Sequence, residues 1–531
     1  MFQTAFTAPS VEATHTGMAL LERGATAIEA MVGAAATVAV SYPHMNSLGG
    51  DGFWVIVPAQ GEPVGILAGG ASGASVGPHC WAGGQSKRGV ESILTVGGAV
   101  AGWAEALDWQ AASCESRASL ELLLGDAIAL SRKGCRVSRS LAQNLVAKRE
   151  ELTGLPGFAE LFLVDGVPNP GDLLRNPDLA TTLERLCANG LEDFYRGEVA
   201  ARIARGFGEI GAILGAEDLA SYRARRVVPL SLQLDRDVLY NLPAPTQGLA
   251  SLLILGIYDR LRGQAKNSAD HVHLLVEATK LAFTIRDEHI GDPDATTYDC
   301  PAALDSDRLD DLAADIDIGR ATPWPSPGIH SDTVWMGASD SYGTMVSYIQ
   351  SLYWEFGSGV VVPGTGLLWT NRGLCFDAAP GRPNSIGPGK VPRHTLNPAA
   401  AVLGDGRRMV YGTMGGEGQP QTQAALWWRY KVQGMTPQAA VDAPRWLLGR
   451  TWGEESNNLK IEQGLAQEAV SELLERGHDL VAVEDQNEMM GHAGMVVRHP
   501  SNRAEAGCDI RSDGEARLGA WSTAGAPPPG D

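Results

Sequence analysis

The sequence predicts an α+β protein, and three observations carry that prediction. Small and apolar residues recur at i, i+3 and i+4 in "ATAIEAMVGAAATVAVSY" (25–42) and "LELLLGDAIALSRKG" (120–134), the period of helices that bury one face. "NSLGGDGFWVIV" (46–57) reads as a Gly-rich turn entering a buried strand from Phe53 to Val57. "TVWMGASDSYGTMVSYIQS" (333–351) is rich in β-branched and aromatic residues around a turn-forming "SDSYG", which predicts a hairpin with strands Thr333 to about Ala338 and Thr344 to Ser351.

The remaining elements follow in chain order. "HVHLLVEATKLAFTIRDE" (271–288) predicts a helix; its His271 and His273 are two apart, cannot share a helix face and do not make a metal site. An acidic helical stretch from Leu304 to Ile318 runs into "RATPWPSPGIHSD" (320–332), where three prolines stop the helix and push the backbone out as an exposed loop. This loop is the natural boundary of the chain. After the hairpin, "RRMVYGTM" (407–414) predicts a strand that ends in "GGEGQPQTQ" (415–423) and passes into a helical "AALWWRYKVQ" (424–433). The tail "STAGAPPPGD" (522–531) is low in complexity and predicted to be unstructured.

Composition narrows the function. With 531 residues, 44% of them hydrophobic and 20% charged, the chain can build a substantial core. A formal charge of −20 argues against binding a phosphate backbone; "RARR" at Arg223 to Arg226 is typical of its short basic patches. Seven scattered cysteines with no C-x-x-C pair indicate neither a disulfide framework nor a zinc site. The start "MFQTAFTAPSVEATH" lacks a basic segment followed by an apolar core, and no window reaches 18 uninterrupted apolar residues, so the expected location is the cytoplasm.

Two glycine-rich motifs fail on context. "GASVG" (73–77) matches G-x-S-x-G around Ser75, but "AGGAS" precedes it in place of an apolar strand and "PHCW" follows in place of a helix. "GSGVVVPGTG" (357–366) lacks the Lys-Ser/Thr ending of a phosphate loop. Thr333 has a different appeal. A Thr that is itself an amino terminus carries its own general base, because an α-amine of pKa about 7.7 to 8.0 is matched to taking the hydroxyl proton near neutral pH. "PWPSPGIHSD" followed by "TVWMG" supplies what such a residue needs: an exposed loop leading into the start of a strand. On spacing alone Thr333 reads as a strand-opening Thr, one among many.

Ordered motifs along nearly the whole chain resemble the γ-glutamyltranspeptidase family of N-terminal nucleophile hydrolases. They are "YPHMNSLGGDGFWVI", "GGAVAGW" with Gly97 where proline is usual, "DFYRGEVAARIA", "EDLASYRARRVVPL", "LPAPTQGLASLLIL" and "EATKLAFTIRDEHIGDPD", then "FGSGVVVPGTGLLWTN", "GPGKVPRHTLNP", "GTMGG" and "DAPRW". The resemblance implies a four-layer αββα sandwich and self-cleavage of Asp332-Thr333 into a large chain, 1–332, and a small chain, 333–531, that together form one domain. It places the nucleophile on Thr333, the hydroxyl that orients it on Ser351, and the oxyanion-binding N–H groups on Gly415 and Gly416. No metal or organic cofactor is implied. The implied partners are the two chains of one precursor and a small amide substrate, with a homodimer of processed heterodimers left open.

The substrate pocket departs from the family pattern. The arginine that holds a glutamyl carboxylate is replaced by Gly69 within "LAGGASG", and the positions that hold the glutamyl amine and carboxylate carry Tyr353, Arg372, Cys375 and the His394-Thr395 pair. A pocket that has gained a cation and lost its acid disfavours a zwitterionic glutamyl group. It favours an acyl part bearing a carboxylate that Arg372 grips. Tyr353, Arg372, His394 and Thr395 are therefore the expected substrate-binding residues, with Tyr353 and Trp335 expected to narrow the pocket. Two alternatives stand beside this reading: a γ-glutamyl hydrolase or transpeptidase with a rebuilt pocket, and an uncleaved, non-catalytic binding protein.

Overall fold

Two antiparallel sheets stacked face to face organise the computed structural model, which describes residues 2–112, 118–324, 332–449 and 457–521. Their strands are β1 (Phe2–Ala8), β2 (Asp51–Val57), β3 (Val64–Ala68), β4 (Arg225–Val227), β5 (Leu230–Leu234), β6 (Asp237–Asn241), β7 (Asp332–Ser339), β8 (Met345–Tyr353), β9 (Ala399–Val402), β10 (Arg408–Thr413), β11 (Ala493–Arg498), β12 (Ala504–Cys508) and β13 (Glu515–Trp521). The first sheet runs β13-β1-β7-β8-β2-β3-β4 and the second β12-β11-β10-β9-β6-β5.

Side-chain alternation along β7 shows the layering. Val334, Met336 and Ala338 face a core made with helices α1 (Val11–Glu22), α2 (Ala27–Ser41), α3 (Ala99–Ala111) and α4 (Leu120–Lys133). Trp335 faces the other way and joins Phe53, Val55 and Ile349 against Ala400, Val410 and Val496 of the second sheet. On that sheet's far side, Met409, Tyr411 and Met495 pack on α5 (Gly248–Leu261), α6 (Ser268–His289) and α7 (Gly418–Trp427). The order helix, sheet, sheet, helix is the expected αββα sandwich.

The local readings meet their elements: α2, α4 and α6, the hairpin β7–β8, the strand β10, and a shorter acidic helix at Ser306–Ala314. The "SDSYG" turn has an anchor beyond its turn residues. Asp340 is buried; its Oδ1 accepts from the N–H groups of Gly343 and Thr344 at 2.8 Å, and its Oδ2 from that of Ala27 at 2.9 Å, which ties the hairpin to the first turn of α2. Of the exposed loop expected at 320–332, residues 325–331 lie outside the described residues and Asp332 already opens β7; the tail 522–531 also lies outside the described residues. Among the described residues no helix is long and apolar enough to cross a membrane.

One expectation is corrected. Trp335 does not narrow a substrate pocket: its indole lies between the sheets and donates from Nε1 to Ser347 Oγ at 3.0 Å. Glycines make the room for it. A Cβ on Gly412 or Gly494 would stand 2.3 Å from the indole, and one on Gly337 would stand 2.6 Å from it.

Candidate active site

Pairing of β7 with β8 slips at one point. Gln350 stands opposite Val334 and Tyr353 opposite Asp332, so Ser351 and Leu352 together face Thr333 in a β-bulge. On its other side Ser351 pairs with Asp51 of β2. Three adjacent strands thus set Thr333, Ser351 and Asp51 in one row across the sheet. Tyr353 closes the bulge with φ +84°, in the left-handed region that costs a non-glycine residue roughly 1–3 kcal/mol. Its N–H donates to Ser351 Oγ at 2.8 Å, which holds that turn.

Arg372 spans this row from the short helical turn Arg372–Cys375. Its Nη2 donates to Ser351 Oγ at 3.3 Å and its Nη1 to Thr395 Oγ1 at 3.2 Å, and its guanidinium carbon sits 4.5 Å from the centre of the Tyr353 ring. Its Nε lies 3.5 Å from Asp51 Oδ2, close enough for an ion pair but without hydrogen-bond alignment. Both side chains are fully buried. Arg372 is therefore no surface cation: it carries its own counter-charge. Burial pushes the Asp51 carboxyl up to about 6, against the opposing pull of Arg372 and of the backbone N–H groups of Gly70 and Gly98.

His394 completes the wall. Its ring meets Phe53 edge-on at 4.7 Å, and its Nε2 is 3.9 Å from Asp51 Oδ2. Burial, reinforced by the Arg372 charge, holds the imidazole well below its ordinary pKa and so neutral. Gly69 matters here for the side chain it lacks. A Cβ on it would stand 2.6 Å from His394 Nε2, so the imidazole takes space that any larger residue would need. Behind Gly69 lies a cleft of ≈ 500 Å³ lined by residues that include Ser72, Val96, Tyr222, Arg223 and Pro245.

Facing this row from the second sheet, β10 ends in a turn in which Gly415 has φ +112° and Gly416 φ +53°. Only glycine adopts such a pair cheaply. The Gly415 carbonyl accepts from the Gly418 N–H at 2.8 Å at the start of α7. A trans peptide sets N–H opposite C=O, so the Gly416 N–H points away from the first turn of α7.

The structure thus brings together Thr333, Ser351, Tyr353, Arg372, His394 and Thr395 and sets the Gly415–Gly416 turn on the facing sheet. Asp51 was missed by sequence reasoning. The signal existed: an arginine in an apolar pocket needs a buried counter-charge, and "NSLGGDGFWVIV" holds one carboxylate at the mouth of a buried strand. Among the described residues one cluster has spacing suited to a cation: His273, Glu277 and His478. There His273 Nδ1 lies 2.8 Å from His478 Nε2, while Lys280 Nζ and the Thr322 N–H occupy the two Glu277 oxygens. It is a hydrogen-bonded group that anchors the segment before the boundary loop.

The family model for gamma-glutamyltranspeptidase matches residues 13–519. The chain belongs to the γ-glutamyltranspeptidase family. Among this family's curated members it is 49% identical over 512 residues to the oxamate amidohydrolase proenzyme of Klebsiella pneumoniae, covering 96% of this chain and 97% of that one. It is 34% identical to the glutathione hydrolase-like YwrD proenzyme of Bacillus subtilis, with 96% and 97% covered. Of solved structures, the cephalosporin acylase of Bacillus halodurans superposes with a TM-score of 0.87 at 29% identity, over 98% of this chain and 96% of that one. The γ-glutamyltranspeptidase-family chain is an enzyme with the αββα fold of the N-terminal nucleophile hydrolases.

Proposed function

We propose that this enzyme is a self-processing amidohydrolase that cleaves the amide of a small, carboxylate-bearing substrate of the oxamate type. The observation that carries the reading is a convergence of buried polar groups: Thr333 Oγ1 and both ring nitrogens of His394, which have no hydrogen-bond partner, beside the Arg372–Asp51 ion pair, whose Nε and Oδ2 lie 3.5 Å apart without hydrogen-bond alignment. A buried polar atom left unpaired costs roughly 1–3 kcal/mol, so the Thr333 hydroxyl and the His394 imidazole beside this ion pair support a place completed by a polar ligand. The relative named for oxamate, 49% identical, supports the same substrate class.

In the mechanism, cleavage of Asp332-Thr333 frees the Thr333 α-amine, which takes the hydroxyl proton as Oγ1 attacks the amide carbonyl. The N–H groups of Gly415 and Gly416 receive the oxyanion, ammonia leaves with the proton, and water hydrolyses the acyl-enzyme to the dicarboxylate. Ser351, opposite Thr333 in the bulge, is the hydroxyl that would orient Oγ1 once the α-amine is freed. Arg372 holds the substrate carboxylate, with Tyr353, His394 and Thr395 around it. The missing arginine at Gly69, with His394 in the space beside it, favours this reading over γ-glutamyl transfer, and the retained Thr333 and Ser351 favour it over a binding protein.

Intact mass of the wild type and of Thr333→Ala, together with ammonia release from oxamate and turnover of a γ-glutamyl anilide, tests the proposal. Two fragments meeting at Asp332-Thr333, and oxamate hydrolysis that disappears in an uncut Thr333→Ala, are expected. Efficient γ-glutamyl turnover without oxamate hydrolysis overturns the substrate, and an active Thr333→Ala overturns the nucleophile.

A further inference from the structure

Gln247 sits at the start of α5, buried, with every polar contact of its amide aimed at the far half of the molecule or at Arg286. Its Nε2 donates to the carbonyl of Thr395 at 2.6 Å and to that of Gly416 at 2.8 Å. Its Oε1 accepts from Arg286 Nη1 at 2.9 Å. The two acceptors on one side and the guanidinium on the other fix which end is nitrogen, since a flipped amide would put oxygen against two carbonyls. Arg286, also buried, is held in turn: Nη2 donates to Glu417 Oε1 at 2.7 Å, Nε to Asp287 Oδ1 at 2.8 Å, and its guanidinium carbon lies 3.9 Å from the centre of the Phe283 ring.

The two carbonyls joined by Gln247 belong to the two ends of the candidate site. Thr395 presents its hydroxyl to Arg372, and Gly416 belongs to the oxyanion turn. We infer that Gln247, oriented by Arg286, is a positioning residue for the amide hydrolysis: it sets the separation and the tilt between the carboxylate-binding wall and the oxyanion donors. This inference rests on the reading of Gly415–Gly416 as the oxyanion turn. Gln247 and Arg286 precede Thr333 in the chain, whereas Thr395, Gly416 and Glu417 follow it. One segment therefore supplies the nucleophile and the other holds its surroundings in register.

Loss of such a brace weakens interactions that matter most in the transition state, because a displacement of about 1 Å in catalytic geometry costs on the order of 100-fold in rate. The test measures kcat and KM on oxamate, single-turnover acylation, cleavage and Tm for Gln247→Leu, Gln247→Glu and Arg286→Lys beside Thr333→Ala. Gln247→Leu and Gln247→Glu are expected to lose about 30- to 100-fold in kcat and in acylation rate, with KM within about threefold of wild type. Arg286→Lys, which leaves both donations from Gln247 in place, is expected to lose about 3- to 10-fold. If a Gln247 variant stays uncut, the Arg286→Lys result decides. Wild-type kcat in a cleaved Gln247→Leu, or in Arg286→Lys, or a rise in KM at unchanged kcat, overturns the inference. With Thr333→Ala inactive, that outcome leaves the amidohydrolase reading standing, whereas an active Thr333→Ala removes the reading itself.

Discussion

Arg372 and Asp51 form an ion pair in the interior, Nε to Oδ2 at 3.5 Å, with neither side chain exposed to solvent. Above pH 6 the Asp51 charge offsets the guanidinium; as pH falls through about 6 the carboxyl takes a proton and the Arg372 charge stands uncompensated. Binding of a small carboxylate inhibitor such as oxalate is therefore expected to tighten below pH 6, and its Ki in Asp51→Asn should be flat through that range. A Ki in the wild type that ignores pH 6 contradicts the pairing.

The same group affects stability with a definite sign. Its folded pKa, about 6, is raised above the ordinary 3.8, so the contribution is present below about pH 3.8 and is lost as pH rises through 6. Removing the partner is more costly still. Asp51→Ala leaves a buried, unpaired guanidinium and should lower stability by about 3–5 kcal/mol in urea unfolding at pH 7.5.

Gly69→Ala places a methyl group 2.6 Å from His394 Nε2 and forces the imidazole to move. Overpacking of this kind costs about 1–3 kcal/mol. At the site it should reduce kcat/KM on the small amide by tenfold or more, a loss of about 1.4 kcal/mol in transition-state binding. Gly69→Arg should not gain γ-glutamyl hydrolysis, because His394 already fills the space. Steady-state kinetics on both substrates check the pair.

Ser351→Ala removes the acceptor for the Tyr353 N–H and for Arg372 Nη2 together. The expected result is a fold that survives, self-cleavage slowed, and kcat lowered by about 10- to 100-fold through displacement of Thr333 and Arg372, the proposed nucleophile and carboxylate clamp. A cleavage time course followed by mass, and kcat on the matured fraction, measure the two effects separately.

Away from the chemistry, Gly412→Ala drives a methyl group into the Trp335 indole between the sheets. A loss of about 1–3 kcal/mol is expected, read as a lower urea midpoint at unchanged m-value. Wild-type stability would contradict the placement of Trp335.

What was legible in the sequence was local. The hairpin that carries Thr333 and Ser351 shows in its β-branched run and turn, and the Gly415–Gly416 turn shows as a strand running into glycines before a helix. Trp335 was misread because a bulky residue beside a nucleophile suggests a pocket wall. Two of the three glycines that house it, Gly412 and Gly494, belong to strands that come later in the chain, and only the stacking of the sheets brings them to it. Asp51, Gln247 and Arg286 escaped for the same reason. Each is unremarkable beside its chain neighbours, and its meaning depends on a partner delivered by the tertiary fold.

The first sheet places β1, from the start of the chain, between β7 and β13 from its second half, and the second sheet attaches β5 and β6 to β9 in the same manner. Scission at Asp332-Thr333 would therefore produce two molecules by covalent count and one by weave. Neither piece owns a closed sheet, and each would expose the edge of its strands if it left the other. Chaotropes strong enough to part them would have to dissolve both sheets, so the halves are expected to melt in a single event and to stay together through any native fractionation.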